Sequence, residues 1–142
     1  MNGDKGDKAI RVLIIDDHQM FRDALRVLLE KEDGIELAAA TGDELEGIEL
    51  AVRNRPEVVL LDIAMRGIGG ILTAHKLREK VPRSKVLMVS QYDDMEFVLE
   101  ALGTAQAAGY LNKNDGGTEL VNGIRAVAAG KRYISPSVAP VV

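Results

Sequence analysis

The sequence predicts a doubly wound α/β fold, with five parallel strands between two layers of helices, and three observations predict it. Short runs rich in Ile, Val and Leu alternate five times with segments of helical periodicity along the 142 residues. Glycine or proline falls between many of these segments, as at Gly34, Pro56, Pro82 and Gly130. Three of the apolar runs lead straight into charged residues: Ile10–Ile15 into Asp16–Asp17, Val58–Leu61 into Asp62, and Gly109–Asn112 into Lys113. Ligands of parallel α/β sheets bind beyond the carboxyl ends of the strands, so the third observation concerns function as much as fold.

Residues 1–9 open with a polar stretch and are expected to form a disordered leader. Ile10–Ile15 is short and apolar enough for a buried strand. From His18 to about Lys31, Phe21, Ala24, Leu25, Leu28 and Leu29 define one apolar helical face, and Gly34 ends the segment. Ile35–Ala40 is a second strand. Asp43 is positioned to cap a helix carrying Leu45, Ile48 and Val52, and Pro56 closes it before the strand Glu57–Leu61. Gly67, Gly69 and Gly70 make an open loop, and a helix from about Ile71 to Lys80 stops before Pro82. Lys85–Val89 is the fourth strand. Asp93 or Asp94 caps the next helix, Ala108–Leu111 is the fifth strand, and a last helix spans about Thr118–Ala129, with Gly130 as its C-cap. Residues 10–130 thus form one domain. Residues 131–142, with two prolines, read as the start of a linker to a domain absent from the chain.

Composition narrows the function. The chain is 46% apolar and 28% charged, with net charge −4 and no cysteine. These values suit an ordinary soluble domain and exclude a disulfide framework and a thiolate metal site. No apolar stretch approaches the roughly 20 residues that span a bilayer, and the amino terminus lacks a signal-peptide core. A cytoplasmic location fits. No run of Lys or Arg exceeds two residues, so this domain alone is a poor nucleic-acid binder.

Each charged strand end has an ordinary reading taken singly. Asp16 or Asp17 could cap a helix, Asp62 could begin a loop, and Lys113 could be a solvated lysine. Together, at the ends of neighbouring strands, they form an acidic crevice with one cation. Clustered carboxylates repel unless a cation joins them, and hard oxygen ligands suit Mg²⁺. A carboxylate can itself accept a phosphoryl group as an aspartyl phosphate, and Asp62, beside its glycine-rich loop, is the best placed. Asp17 and Asp62 would hold Mg²⁺, Lys113 would pair with the phosphoryl oxygens, and Ser90, ending the fourth strand, would donate a hydrogen bond. His18 adjoins the acidic pair, but the other histidine, His75, falls in a different helix, which argues against a histidine-based metal site.

The segments Val12-Leu13-Ile14-Ile15-Asp16-Asp17-His18-Gln19-Met20-Phe21-Arg22, Pro56–Ile63, Tyr92-Asp93-Asp94 and Gly109–Lys113 resemble the receiver domain of two-component response regulators. They look most like the subfamily that precedes a LuxR-type helix-turn-helix, and Gly130–Ala139 looks like the start of its interdomain linker. The resemblance implies a flavodoxin-like (βα)5 fold in which Asp62 accepts phosphate from a histidine kinase. It implies Mg²⁺ held by Asp17, Asp62 and the Ala64 backbone carbonyl, with Asp16 acting through water. Lys113 would contact the phosphoryl group, and Ser90 and Tyr110 would form a switch pair in which the tyrosine ring turns inward. Such a switch catalyses only its own phosphorylation and dephosphorylation. A homodimer is plausible, and DNA would be bound only through an output domain outside this chain.

Three departures from the family pattern stand out. Arg66 replaces the usual proline, which frees the backbone by up to ~1 kcal/mol of unfolded-state entropy and brings a cation near the site. Gly69 stands where an aspartate is common. The stretch Leu102–Gly109 is about one residue longer than usual, which would perturb the fifth strand. Ala64 cannot orient an attacking water, and Tyr92 could shield an acyl phosphate, so slow self-dephosphorylation is expected. Two other functions compete. A phosphatase of the haloacid dehalogenase type needs an Asp-x-Asp spacing that Asp16–Asp17 lacks. A pseudo-receiver that acts without phosphate, as an interaction module, is favoured mildly by Arg66 and opposed by Asp62, Ser90 and Lys113.

Overall fold

The computed structural model describes residues 9–64, 69–91 and 95–141. The elements run β1 Ile10–Ile15, α1 Gln19–Glu30, β2 Ile35–Thr41, α2 Glu44–Asn54, β3 Val58–Asp62, α3 Gly70–Lys80, β4 Lys85–Ser90 and α4 Met95–Leu99. A π-helical turn, Glu100–Thr104, continues α4, and beyond it lie β5 Gly109–Asn112, α5 Gly117–Ala128 and β6 Tyr133–Ile134. The six strands pair in the order β2-β1-β3-β4-β5-β6, all parallel.

Residue alternation along the strands builds the two cores. Leu13, Ile15, Val59, Leu61, Met88 and Tyr110 face α2, α3 and α4, where they meet Ile48, Ala51, Ala74, Leu77, Val98 and Ala101. Val12, Ile14, Val58, Leu60, Leu87, Val89 and Leu111 face α1 and α5, where they meet Leu25, Leu29, Leu120, Ile124 and Val127. Strands buried on both faces read as continuous apolar runs, which is why the pattern was visible in sequence.

Boundaries differ from expectation by a residue or two. Asp43 does cap α2, its carboxylate accepting the Glu46 N–H at 2.7 Å. Arg55, in the left-handed region at φ 49°, ends that helix ahead of Pro56. The expected caps Asp93 and Asp94 lie outside the described residues, as do Arg66 and Tyr92.

Two findings revise the sequence reading. The stretch Leu102–Gly109, expected to run about one residue longer than usual, begins in a π-helical closure at the end of the helix. Ala105 N–H bonds Glu100 O at 2.8 Å, an i→i+5 closure, and Gln106 at φ 53° releases the chain. Such a π turn accommodates one inserted residue without displacing the next strand. β5 therefore pairs with β4 in unbroken register, Leu87 with Gly109 through Ser90 with Asn112.

The sheet also has six strands where five were expected. Tyr133–Ile134 adds along the outer edge of β5, in the segment read as linker. Tyr133 N–H donates to Ala108 O and Ser135 N–H to Tyr110 O, each at 3.1 Å. Proline and small residues suggested a linker, but Ser135 and Val138 are fully buried. Among the described residues, no helix is long and apolar enough to cross a membrane.

Candidate functional site

Strand register brings the site together. Ile15 pairs with Leu61 across β1 and β3, so Asp16 and Asp62 emerge side by side. Ser90 pairs with Asn112 across β4 and β5, so Lys113 emerges on the far side of β4. Ser90 is fully buried at the end of its strand, and Tyr110 is fully buried on β5. The crevice thus sits at the carboxyl ends of β1, β3 and β5, as the charged strand ends predicted.

The lysine is the centre of the arrangement. Its Nζ lies 2.8 Å from Asp16 Oδ2 and 3.3 Å from Asp62 Oδ2, and its side chain is only 9% exposed. It also lies 3.0 Å from His18 Nδ1 and 4.6 Å from the centre of the Phe21 ring. The turn after β5 sets its direction. Asn112 accepts the Asn114 N–H at 2.8 Å, and Asp115 accepts the Asn112 N–H at 3.1 Å, a reciprocal cap that locks Lys113–Asp115.

The three aspartates are held differently. Asp62 is buried, and its Oδ1 accepts the Ala64 N–H at 2.9 Å. Burial, the largest influence, pushes the Asp62 carboxyl above its ordinary value; the Ala64 N–H lowers it, the Asp16 charge raises it and Lys113 lowers it. Asp16 is buried too, with Oδ1 accepting the His18 N–H at 2.9 Å. Its Oδ2 makes the short ion pair with Lys113, at 2.8 Å. Asp17 is exposed, and no ion pair or hydrogen bond to it occurs among the described residues.

Such a donor set fits a hard divalent cation. Ligand atoms of Asp16, Asp17, His18 and Asp62 lie within 4.8 Å of one another. A buried carboxylate oxygen engaged only by the Lys113 ammonium and an exposed carboxylate beside it leave lone pairs for Mg²⁺ and its waters. Of the Ala64 backbone, the N–H is engaged with Asp62. Gly70 keeps α3 close behind the site, because a β-carbon there would lie 2.5 Å from Ile63 Cα.

Of the residues the sequence points to, Asp16, Asp17, Asp62, Ala64, Ser90, Tyr110 and Lys113, the structure gathers Asp16, Asp17 and Asp62 with Lys113. Sequence reasoning passed over His18 as a partner for lysine, along with Phe21 and the Asn112–Asp115 cap. His75, the other histidine, sits apart on α3. The Asn-x-x-Asp spacing around Lys113 was a legible capping signal.

A doubly wound parallel sheet with three clustered aspartates and a lysine at its carboxyl edge defines the class of structure, a flavodoxin-like α/β domain with an acidic crevice. Comparison makes the assignment specific: residues 12–125 match the response regulator receiver domain, and the chain belongs to that family. It is 39% identical over 130 residues to the response regulator GacA of Pseudomonas viridiflava, covering 92% of this chain and 60% of that protein. It is 36% identical over 138 residues to the transcriptional regulatory protein DegU of Brevibacillus brevis, covering 97% of this chain and 58% of that protein. The chain therefore spans about three-fifths of the length of these curated relatives. Among solved structures it resembles a LuxR-family two-component response regulator from Aurantimonas sp. SI85-9A1, with TM-score 0.87 and 31% identity. That match covers 93% of this chain and 94% of the other.

Proposed function

We propose that this chain is a phosphorylation-controlled switch that takes a phosphoryl group from a histidine kinase onto Asp62. The observation that carries the reading is the contact of one buried ammonium, Lys113, with both Asp16 and Asp62. Transfer breaks the N–P bond of the kinase phosphohistidine, whose other ring nitrogen carries a proton, and forms an O–P bond to a carboxylate oxygen of Asp62, so the kinase imidazole leaves neutral. Asp62 needs no general base, because it reacts as the carboxylate. Asp17, Asp62 and the Ala64 carbonyl would hold Mg²⁺, with Asp16 acting through water; the ion would offset charge on the transferring group. Lys113 would move from Asp16 toward the new phosphoryl oxygens, and Ser90 would donate its hydroxyl to them. Tyr110, already inward, would be retained there behind Ser90, biasing the surface around α4 and β5.

The only chemistry catalysed on this reading is the chain's own phosphorylation and dephosphorylation. Ala64 offers the acyl phosphate no side-chain group to orient water, so the phosphorylated state should be long-lived. The similarity to GacA, DegU and a LuxR-family regulator supports a transcriptional output domain, a cytoplasmic site of action and DNA binding through that other domain. The test is intact mass before and after incubation with acetyl phosphate and Mg²⁺, beside Asp62→Asn. One phosphate adduct that vanishes in the variant supports the assignment; no adduct at saturating Mg²⁺ refutes it and favours a phosphate-independent interaction module.

A further inference from the structure

We propose that His18 is a positioning residue that holds Lys113 at the mouth of the crevice, ready for an incoming phosphoryl donor. The inference rests on the phosphoacceptor reading of Asp62. An ammonium has three donors and no preferred direction beyond its acceptors. Asp16 and Asp62 both lie on the inner side of Lys113, buried, whereas the His18 side chain is 57% exposed and lies at the crevice rim. With Nδ1 at 3.0 Å, His18, in the tautomer that carries its proton on Nε2, is the exposed acceptor among the described residues that draws the ammonium outward against the pull of two carboxylates.

His18 is itself well fixed for this task. It caps α1 with extended backbone, and its N–H is bound by Asp16 Oδ1 at 2.9 Å. Phe21, one turn further along α1, lies under the same ammonium, so Lys113 has a wall as well as a tether. Without His18 the lysine would settle onto Asp16 and Asp62. It would then meet the donor later, weakening donor capture more than the chemical step.

The test is the rate of phosphorylation against acetyl phosphate concentration at fixed Mg²⁺, for wild type, His18→Ala and His18→Asn. His18→Ala is expected to raise the half-saturating donor concentration about three- to tenfold, the range of one lost hydrogen bond, with the maximal rate nearly unchanged. His18→Asn, which retains an acceptor, should recover most of that loss. In parallel, the ¹⁵N resonance of the Lys113 ammonium should be protected in wild type and broadened in His18→Ala. Unchanged half-saturation in a wild type that does label, or failure of asparagine to rescue, overturns the positioning role. If wild type takes no phosphate, the function itself falls, and the ammonium resonance alone decides whether His18 holds Lys113.

From a separate set of contacts we infer that residues 133–138 are part of the proposed switch rather than a passive tether. Tyr110 O accepts the Ser135 N–H at 3.1 Å, and Val138, fully buried, shares a core cluster with Tyr110, Ala101, Leu102 and Ala105. Arg132 donates to Leu102 O at 3.0 Å, and Tyr133 donates its hydroxyl to Glu119 of α5. Firmer retention of Tyr110 on phosphorylation would therefore reach the tail through its backbone and through packing. Amide exchange at Ser135 and Val138 should change at least about tenfold when mass spectrometry shows the chain phosphorylated, and Tyr110→Ala should abolish that change. Equal exchange in both states, or a change that survives Tyr110→Ala, overturns the coupling.

Discussion

The acidic crevice and the β5–β6 edge are built by opposite means. In the crevice, side chains from three strands meet, and charge decides the arrangement. Asp16 and Asp62 are buried carboxylates that tolerate each other because Lys113 sits within 3.3 Å of both. At the edge, backbone does the work. Tyr133 and Ser135 donate to the carbonyls of Ala108 and Tyr110, and the close approach depends on Gly109 having no side chain. The crevice is therefore open to change, since on the proposed function its interactions would reorganise when a cation or a phosphoryl group arrives. The edge is tuned for fit, since sealing it leaves no room for substitution. Function can be removed at the first with little loss of fold, and fold at the second before chemistry is touched.

The sharpest break of that contrast is Lys113→Ala. It should lower the phosphorylation rate by acetyl phosphate on the order of a hundredfold, the scale of losing one preorganised charge contact, as measured by intact mass over time. At the edge, Gly109→Val is the matching lesion. A β-carbon there would lie 2.3 Å from the Tyr133 carbonyl oxygen and 2.9 Å from Leu87 Cδ1. Destabilisation of about 3 kcal/mol is expected, seen as a lower midpoint in urea unfolding, because β6 must detach or β5 must shift. Val138→Ala is milder, removing two buried methyl groups at a cost of about 2 kcal/mol. Its signature is faster exchange of the Ser135 amide, with the mass adduct at Asp62 unaffected. If Val138→Ala left the urea midpoint in place, the tail would be a loose linker after all.

The smallest effect is one of pH. The Asp62 carboxyl is raised from 3.8 chiefly by burial, so the folded chain disfavours its charge. Its contribution to stability is therefore fully present below the ordinary carboxylate value and is lost as pH rises through the raised one. Asp62→Asn should accordingly melt slightly above wild type at pH 7, with the gap closing toward pH 4. A gap that widened on acidification would contradict the direction of the shift.

Much of the crevice was legible because its residues end apolar strands. The buried runs Val12–Ile15 and Val58–Leu61 announce themselves by composition, and a parallel sheet presents the residues beyond their carboxyl ends at one edge. Asp16, Asp17, Asp62 and Lys113 needed no more than that. His18 was harder, because its role depends on a lysine 95 positions away and on which acceptor that lysine faces. The strand in the tail was hidden for a related reason. Ser135-Pro136-Ser137 carries the composition of a linker, and a two-residue strand has no periodicity to detect.

Local pattern by itself determined the alternation of strand and helix, the two-sided core and the charged strand ends. Those depend on hydrophobic burial and helical or extended repeat, which each segment carries within itself. Only the tertiary structure decided that a π turn forms ahead of Gly109, that Tyr133–Ile134 closes the sheet, and that Lys113 divides itself between Asp16, Asp62 and His18. Each of these turns on which of several local solutions leaves buried polar groups satisfied once distant segments meet, and that comparison exists only in the folded chain.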